Sequence, residues 1–146
     1  MRKFVLRGGG EMKITAVYDT NILVSALISK KSDTAVVRVL EILLSGDVTP
    51  LYNDEIISEY DNVLHRVKFS LPDTMVGGII DYIQKAGILS DRVQSEEKFP
   101  DAGDAVFYEV ALSHEDSFLV TGNTKHFPKS PIVVTPSEFL EIIGRF

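Results

Sequence analysis

The amino-acid sequence predicts an α/β domain of three layers, α/β/α, around a mostly parallel sheet. Two observations carry this. Short apolar runs alternate along the chain with segments of helical periodicity, and the runs are apolar throughout instead of alternating with polar residues, as in strands covered on both faces. At 146 residues with 45% hydrophobic content, the chain has the size and composition of one domain with a continuous core.

Gly8-Gly9-Gly10 and Met12 precede a segment, MKITAVYDTN, that reads as an ordinary chain start. Residues 1–12 are therefore expected to be a dispensable, disordered extension, and residues 13–146 the domain. Ile14 to Tyr18 is apolar enough for a buried strand and stops at Asp19-Thr20-Asn21. A short helical piece is expected around Ile22 to Leu27. From Ser32 to Leu44, apolar residues at Ala35, Val36, Val39, Leu40, Leu43 and Leu44 mark one helix face, ended by Ser45-Gly46.

Val48 to Tyr52 reads as a second strand interrupted by Pro50, followed by a helix starting near Asn53 or Asp54. Its stripe is Ile56, Ile57, Tyr60, Val63, Leu64 and Val67. Glu59 lies about 60° round the helix from Ile56, on the flank of that stripe. Met75, Val76, Ile79, Ile80 and Ile83 predict a further helix, weakened by Gly77-Gly78 and ended at Gly87. Ile88 to Val93 reads as a short strand, and 94–103 as a polar loop. A helix is expected from about Asp104 to Ser113, with Phe107, Val110 and Ala111 inward. Strands follow at 117–121 and 132–134. Thr135-Pro136-Ser137-Glu138 has the form of a capping box with proline at the first helical position, opening a helix to about Ile143.

Composition narrows the chemistry. There is no cysteine, which excludes disulfides, thiolate catalysis and Cys-based zinc and fits a reducing compartment. With no run of about 18 apolar residues and too short an apolar stretch at its start for a secretory signal, the chain is expected to be soluble and cytoplasmic. The net charge of −6 is the wrong sign for coating nucleic acid by bulk electrostatics. It leaves room for a nuclease, because an acid cluster loaded with metal is locally cationic and lysines such as Lys125 and Lys129 can form patches. Gly8-Gly9-Gly10 is not a spaced glycine fingerprint opening a helix, so a dinucleotide role fails.

In open α/β sheets ligands bind beyond the carboxyl ends of the strands. Asp19 and Asn123 follow two predicted strands, Asp104 opens the helix leading to the second, and Glu59 comes from a helix between them. Clustered carboxylates share protons or bind cations, and hard oxygen donors without thiolate select Mg²⁺ or Mn²⁺. Each acid also has an ordinary reading. Asp19-Thr20-Asn21 serves equally as a helix-capping turn, Asp104 as a complement to a helix dipole, and Glu59 as a surface residue. His65, His114 and His126 lack metal-ligand spacing and read as structural or surface groups.

The segments VYDTNILVSAL, PDAGDAVFYEVAL, FLVTGNTKHFP and TPSEFLEII, with Glu59 in the middle helix, occur in an order that resembles the PIN-domain family from Ile14 to Ile143. The branch it resembles is that of toxin components of toxin–antitoxin pairs. The resemblance implies a Mg²⁺- or Mn²⁺-dependent nuclease acting on RNA, with Asp19, Glu59 and Asp104 as metal ligands. Asn21 and Thr121 match supporting positions, and Asp101 is a further support candidate. One or two ions would activate a water and stabilise the leaving 3′ oxygen, without a protein base.

The family commonly carries a fourth acid where Asn123 stands. The amide removes one negative charge and is expected to weaken a second metal. Lys125 and His126 are the candidate phosphate contacts. The resemblance further implies a homodimer and an antitoxin that inserts a segment into the acidic groove. Two other readings compete: a catalytically weak PIN-like module that binds RNA or protein, and a phosphohydrolase using Asp19 as nucleophile. The second of these expects an Asp two residues on, where Asn21 stands.

Overall fold

The computed structural model describes residues 14–144, so the expected extension at 1–12 lies outside the described residues. Five strands, β1 (Ile14–Tyr18), β2 (Val48–Tyr52), β3 (Ile88–Leu89), β4 (Phe118–Val120) and β5 (Val133–Val134), form one sheet in the order β3-β2-β1-β4-β5. Every pairing is parallel. Six helices cover it: α1 (Thr20–Ile28), α2 (Ala35–Leu44), α3 (Asp54–Leu64), α4 (Asp73–Ala86), α5 (Ala105–Ala111) and α6 (Pro136–Ile143). α2 packs against α1 and α6, whereas α3 packs against α4 and α5. The three-layer α/β/α arrangement is the one the sequence predicts.

The strand order reverses between β1 and β4, since β2 and β3 extend the sheet to one side of β1 and β4 and β5 to the other. A crevice therefore opens at the carboxyl ends of β1 and β4. Ala16 and Val17 at its root are fully buried, as are Leu119 and Val120. Below it the core is filled by Leu23, Val39, Leu43, Ile56, Tyr60, Phe107 and Phe139. Two tyrosine hydroxyls in this core reach backbone acceptors. Tyr18 donates to the Val39 carbonyl at 2.6 Å and Tyr60 to the Tyr18 carbonyl at 2.5 Å, so neither ring leaves a buried polar group unpaired.

Local signals set the helix starts. Asn53 accepts from the Ile56 N–H at 2.9 Å and Thr34 from Val37 at 3.4 Å. The capping box forms as read, with Glu138 accepting from the Thr135 N–H and Thr135 from that of Glu138. Gly46 stops α2 with φ of +89°, a conformation that favours glycine.

Several boundaries differ from the sequence expectation. β3 ends at Leu89 instead of Val93, because the Val93 N–H bonds to the Glu109 carbonyl of α5 and pulls the chain off the sheet. Met75 is 43% exposed; the buried face of α4 is Val76, Ile79, Ile80 and Ile83. α5 is buried on every side from Val106 to Ala111, instead of along one stripe, because the loop before it folds over it and sets Phe99 against Tyr108.

Gly87, between α4 and β3, has no room for a side chain. A Cβ there would stand 2.4 Å from the Ile83 carbonyl oxygen and 2.6 Å from that of Pro50. Gly87→Ala is expected to lower the urea midpoint by the equivalent of about 1–3 kcal/mol, the usual cost of overpacking. Gly77→Ala, where a Cβ meets nothing within 4 Å, is the control and should stabilise by roughly 0.5–1 kcal/mol. Equal midpoints for the two variants would refute this reading of Gly87.

Candidate active site

Asp19 leaves the carboxyl end of β1 and is only 5% exposed. Its N–H bonds to the Val120 carbonyl at 2.9 Å, which continues the β1–β4 ladder by one residue and sets it beside Thr121. The buried Thr121 hydroxyl donates to Asp19 Oδ2 at 2.8 Å. Thr121 Oγ1 in turn accepts from the Asn123 N–H at 3.0 Å, so one hydroxyl fixes both the carboxylate and the turn after β4. Asp19 occupies the N-cap position of α1 without a side-chain cap hydrogen bond. The capping-turn reading of this acid is thus not what the side chain does.

Glu59 enters from α3, partly buried on the flank of the apolar stripe. The Thr20 hydroxyl, buried in the first turn of α1, donates to Glu59 Oε2 at 2.5 Å. Asp104 closes a 3-10 turn, Ala102–Asp104, immediately before α5. Its side chain makes no capping bond, and 19% of it is exposed. Asp101 holds this turn by accepting from the Gly103 N–H at 2.9 Å.

Asp19 feels the charge of Glu59, and Asp104 feels the charges of both. Burial raises the Asp19 carboxyl, the Thr121 hydrogen bond pulls it back, and the charge of Glu59 raises it again. Burial lifts Asp104 from 3.8 to about 6, helped by the charges of Asp19, Asp101 and Glu59 and opposed by His126. His126 Nδ1 stands 3.6 Å from Asp104 Oδ2. Such mutual repulsion is what a bound cation relieves, and the donors are all hard oxygens, so the set suits a divalent metal. Among the described residues, however, no three His, Asp or Glu side chains close on a common point as ligands of one ion.

The other sequence candidates divide. Thr121 bonds to Asp19, and Asp101 holds the turn that carries Asp104. Asn21 is exposed on α1, and Asn123 and Lys125 are exposed in and after the β4 turn.

Sequence reasoning passed over Thr20, although it directly follows a strand-end acid and so begins the helix that faces α3. It also missed Glu109, whose carboxylate is buried in α5. Arg92 donates to Glu109 at 2.7 Å and to Glu55 at 2.9 Å, and the Ser95 N–H donates to Glu109 at 2.9 Å. An acid amid the apolar run of α5 was the available signal, because such a charge stays buried only when partnered.

A family model described as PIN domain matches residues 15–125. The chain belongs to the PIN-domain family. Comparison with curated proteins and with solved structures gave no significant match. PIN domains are generally nucleases that typically use divalent metal ions. The family match spans Asp19, Glu59, Asp104, Thr121 and Asn123, and ends one residue before His126. Among the described residues no helix is long and apolar enough to cross a membrane.

The raised carboxyl of Asp104 has a consequence for stability. Unfolded, it releases its proton near 3.8, whereas folded it keeps the proton to about 6. Between these values the folded state binds more protons, so stability falls as pH rises through the window. Asp104→Asn, unfolded thermally in EDTA from pH 4 to 7, should show a shallower fall and a higher Tm than wild type at pH 7. An unchanged slope would assign the titration to another group.

Proposed function

We propose that this PIN domain is a metal-dependent endoribonuclease that hydrolyses RNA phosphodiester bonds, acting as the toxin of a toxin–antitoxin pair. The observation that supports the proposal is the buried Asp19 at the carboxyl end of β1, oriented by the Thr121 hydroxyl, with Glu59 and Asp104 near enough for their charges to act on it or to feel its own. Mg²⁺ or Mn²⁺ is the cofactor that this oxygen set fits. When bound, such an ion supplies Lewis-acid activation of water and neutralises charge at the phosphate.

The chain's own residues divide the remaining work. Asp19 is the fixed anchor, its oxygen oriented by Thr121. Thr20 aims Glu59. Asp104 sits nearer solvent, where an incoming phosphate meets it, with His126 at its side. The partners in this reading are an RNA substrate, a second copy of the chain, and an antitoxin protein in the cytoplasm.

Asn123 favours a second reading, that of a catalytically weak module binding RNA or protein, because an exposed amide stands where the family commonly carries an acid. Metal binding separates the two. Titration of wild type with Mn²⁺ should show binding that Asp19→Asn removes, and Asn123→Asp should tighten it and raise the number of ions bound. A wild type that binds no metal would sink the nuclease reading.

Activity gives the direct test. Labelled RNA incubated with purified protein and Mg²⁺ or Mn²⁺ should be cut by wild type and left intact by Asp19→Asn and Asp104→Asn. Thr121→Val, which removes an orienting hydroxyl and keeps the acids, should slow cleavage about 10–100-fold. Cleavage surviving both acid substitutions would place the chemistry elsewhere.

A further inference from the structure

A second feature adjoins the acid crevice. Thr124, Lys125, Phe127, Pro128, Lys129, Ser130, Val133 and Glu138 line a groove of about 440 Å³ between the turn after β4 and the start of α6. Its floor is apolar, with Phe127 buried there and braced edge-on by Phe99. Lys125 and Lys129 are exposed at its rim, and among the described residues neither has a carboxylate within ion-pair distance. The only acid in the lining, Glu138, is turned to the Thr135 N–H at 2.8 Å in the α6 capping box.

The charge pattern is local. In a chain of net charge −6, the stretch 117–137 contains no acid at all but holds Lys125, His126 and Lys129. Asn123 belongs to that stretch, so the amide that thins the acid cluster also keeps this face positive. The 3-10 turn Thr124–His126 is shared: it presents Thr124 and Lys125 to the groove and His126 to Asp104.

We infer that this groove holds the phosphodiester backbone of single-stranded RNA on the α6 side of the acid crevice. Lys125 and Lys129 contact phosphates, and the floor formed by Phe127, Pro128 and Val133 receives sugar or base. A basic rim over an apolar floor is the form that sequence-tolerant single-strand binding takes. The groove also accounts for how an acidic chain gains purchase on a polyanion, since Lys125 and Lys129 lie in a stretch free of acids beside the crevice. The inference rests on the nuclease reading for its substrate class, but it can be tested without cleavage.

The test is fluorescence anisotropy of a labelled single-stranded oligoribonucleotide with the full chain in EDTA, across a salt series. Wild type should bind with a salt-dependent affinity. The double variant Lys125→Ala/Lys129→Ala should bind more weakly and flatten the slope of log K against log salt by about 1.4, at about 0.7 per lost phosphate contact. Lys125→Arg/Lys129→Arg should keep the wild-type slope, and so should Lys85→Ala, an exposed lysine of α4 paired with Asp81 and remote from the groove.

A double alanine variant with the wild-type slope, or a wild type that does not bind, would overturn the inference. So would polyglutamate or duplex RNA competing as well as the single strand. Lysine-dependent binding without any cleavage in Mg²⁺ or Mn²⁺ would support the groove and count against the nuclease reading alone.

Discussion

The burial of one carboxylate governs this molecule. Asp19 sits almost out of water at the point where the strand order of the sheet reverses, and a charge so placed is tolerated only with compensation. Thr121 supplies part of that compensation from the adjacent strand end, and the parallel β1–β4 pairing is what brings the two residues together across 102 positions of sequence. What the hydroxyl does not offset is left as a standing preference for positive charge in the crevice. The other two acids deepen that preference.

Each acid is held by a different device. A strand fixes Asp19, a helix-to-helix hydrogen bond fixes Glu59, and a short turn capped by Asp101 fixes Asp104. Asp19 is the most deeply buried of the three, and Glu59 and Asp104 are partly exposed. Tyr60 links the first two: its ring lies beside Phe107 in the core and its hydroxyl reaches the Tyr18 carbonyl, one residue before Asp19. The charges of Asp19 and Glu59, after burial itself, raise the Tyr60 hydroxyl well above its usual range, which keeps it a neutral donor.

Away from the acids, the loop before α5 is stapled at both ends. Arg92 joins Glu55 of α3 to Glu109 of α5, and Phe99 packs against both Tyr108 and Phe127. The second contact ties the loop carrying Asp101 and Asp104 to the loop carrying His126 and Lys125. The crevice and the basic groove therefore share a wall, and a change in either loop reaches both.

The alternation of apolar runs with helical segments determined the layers, the parallel sheet and most helix starts, because strand burial and capping are local in sequence. The strand-end positions of Asp19 and Asn123 and the place of Asp104 before α5 were legible for the same reason. The order of strands that brings Asp19 to Thr121, the bond from Thr20 to Glu59 and the buried partnership of Glu109 with Arg92 were decided only in the tertiary structure. Each joins residues on separate elements, and periodicity within one element carries no information about which neighbour it will meet. The same holds for Asn123: only the folded turn shows that it lies beside Lys125 and His126, between the acids and the groove.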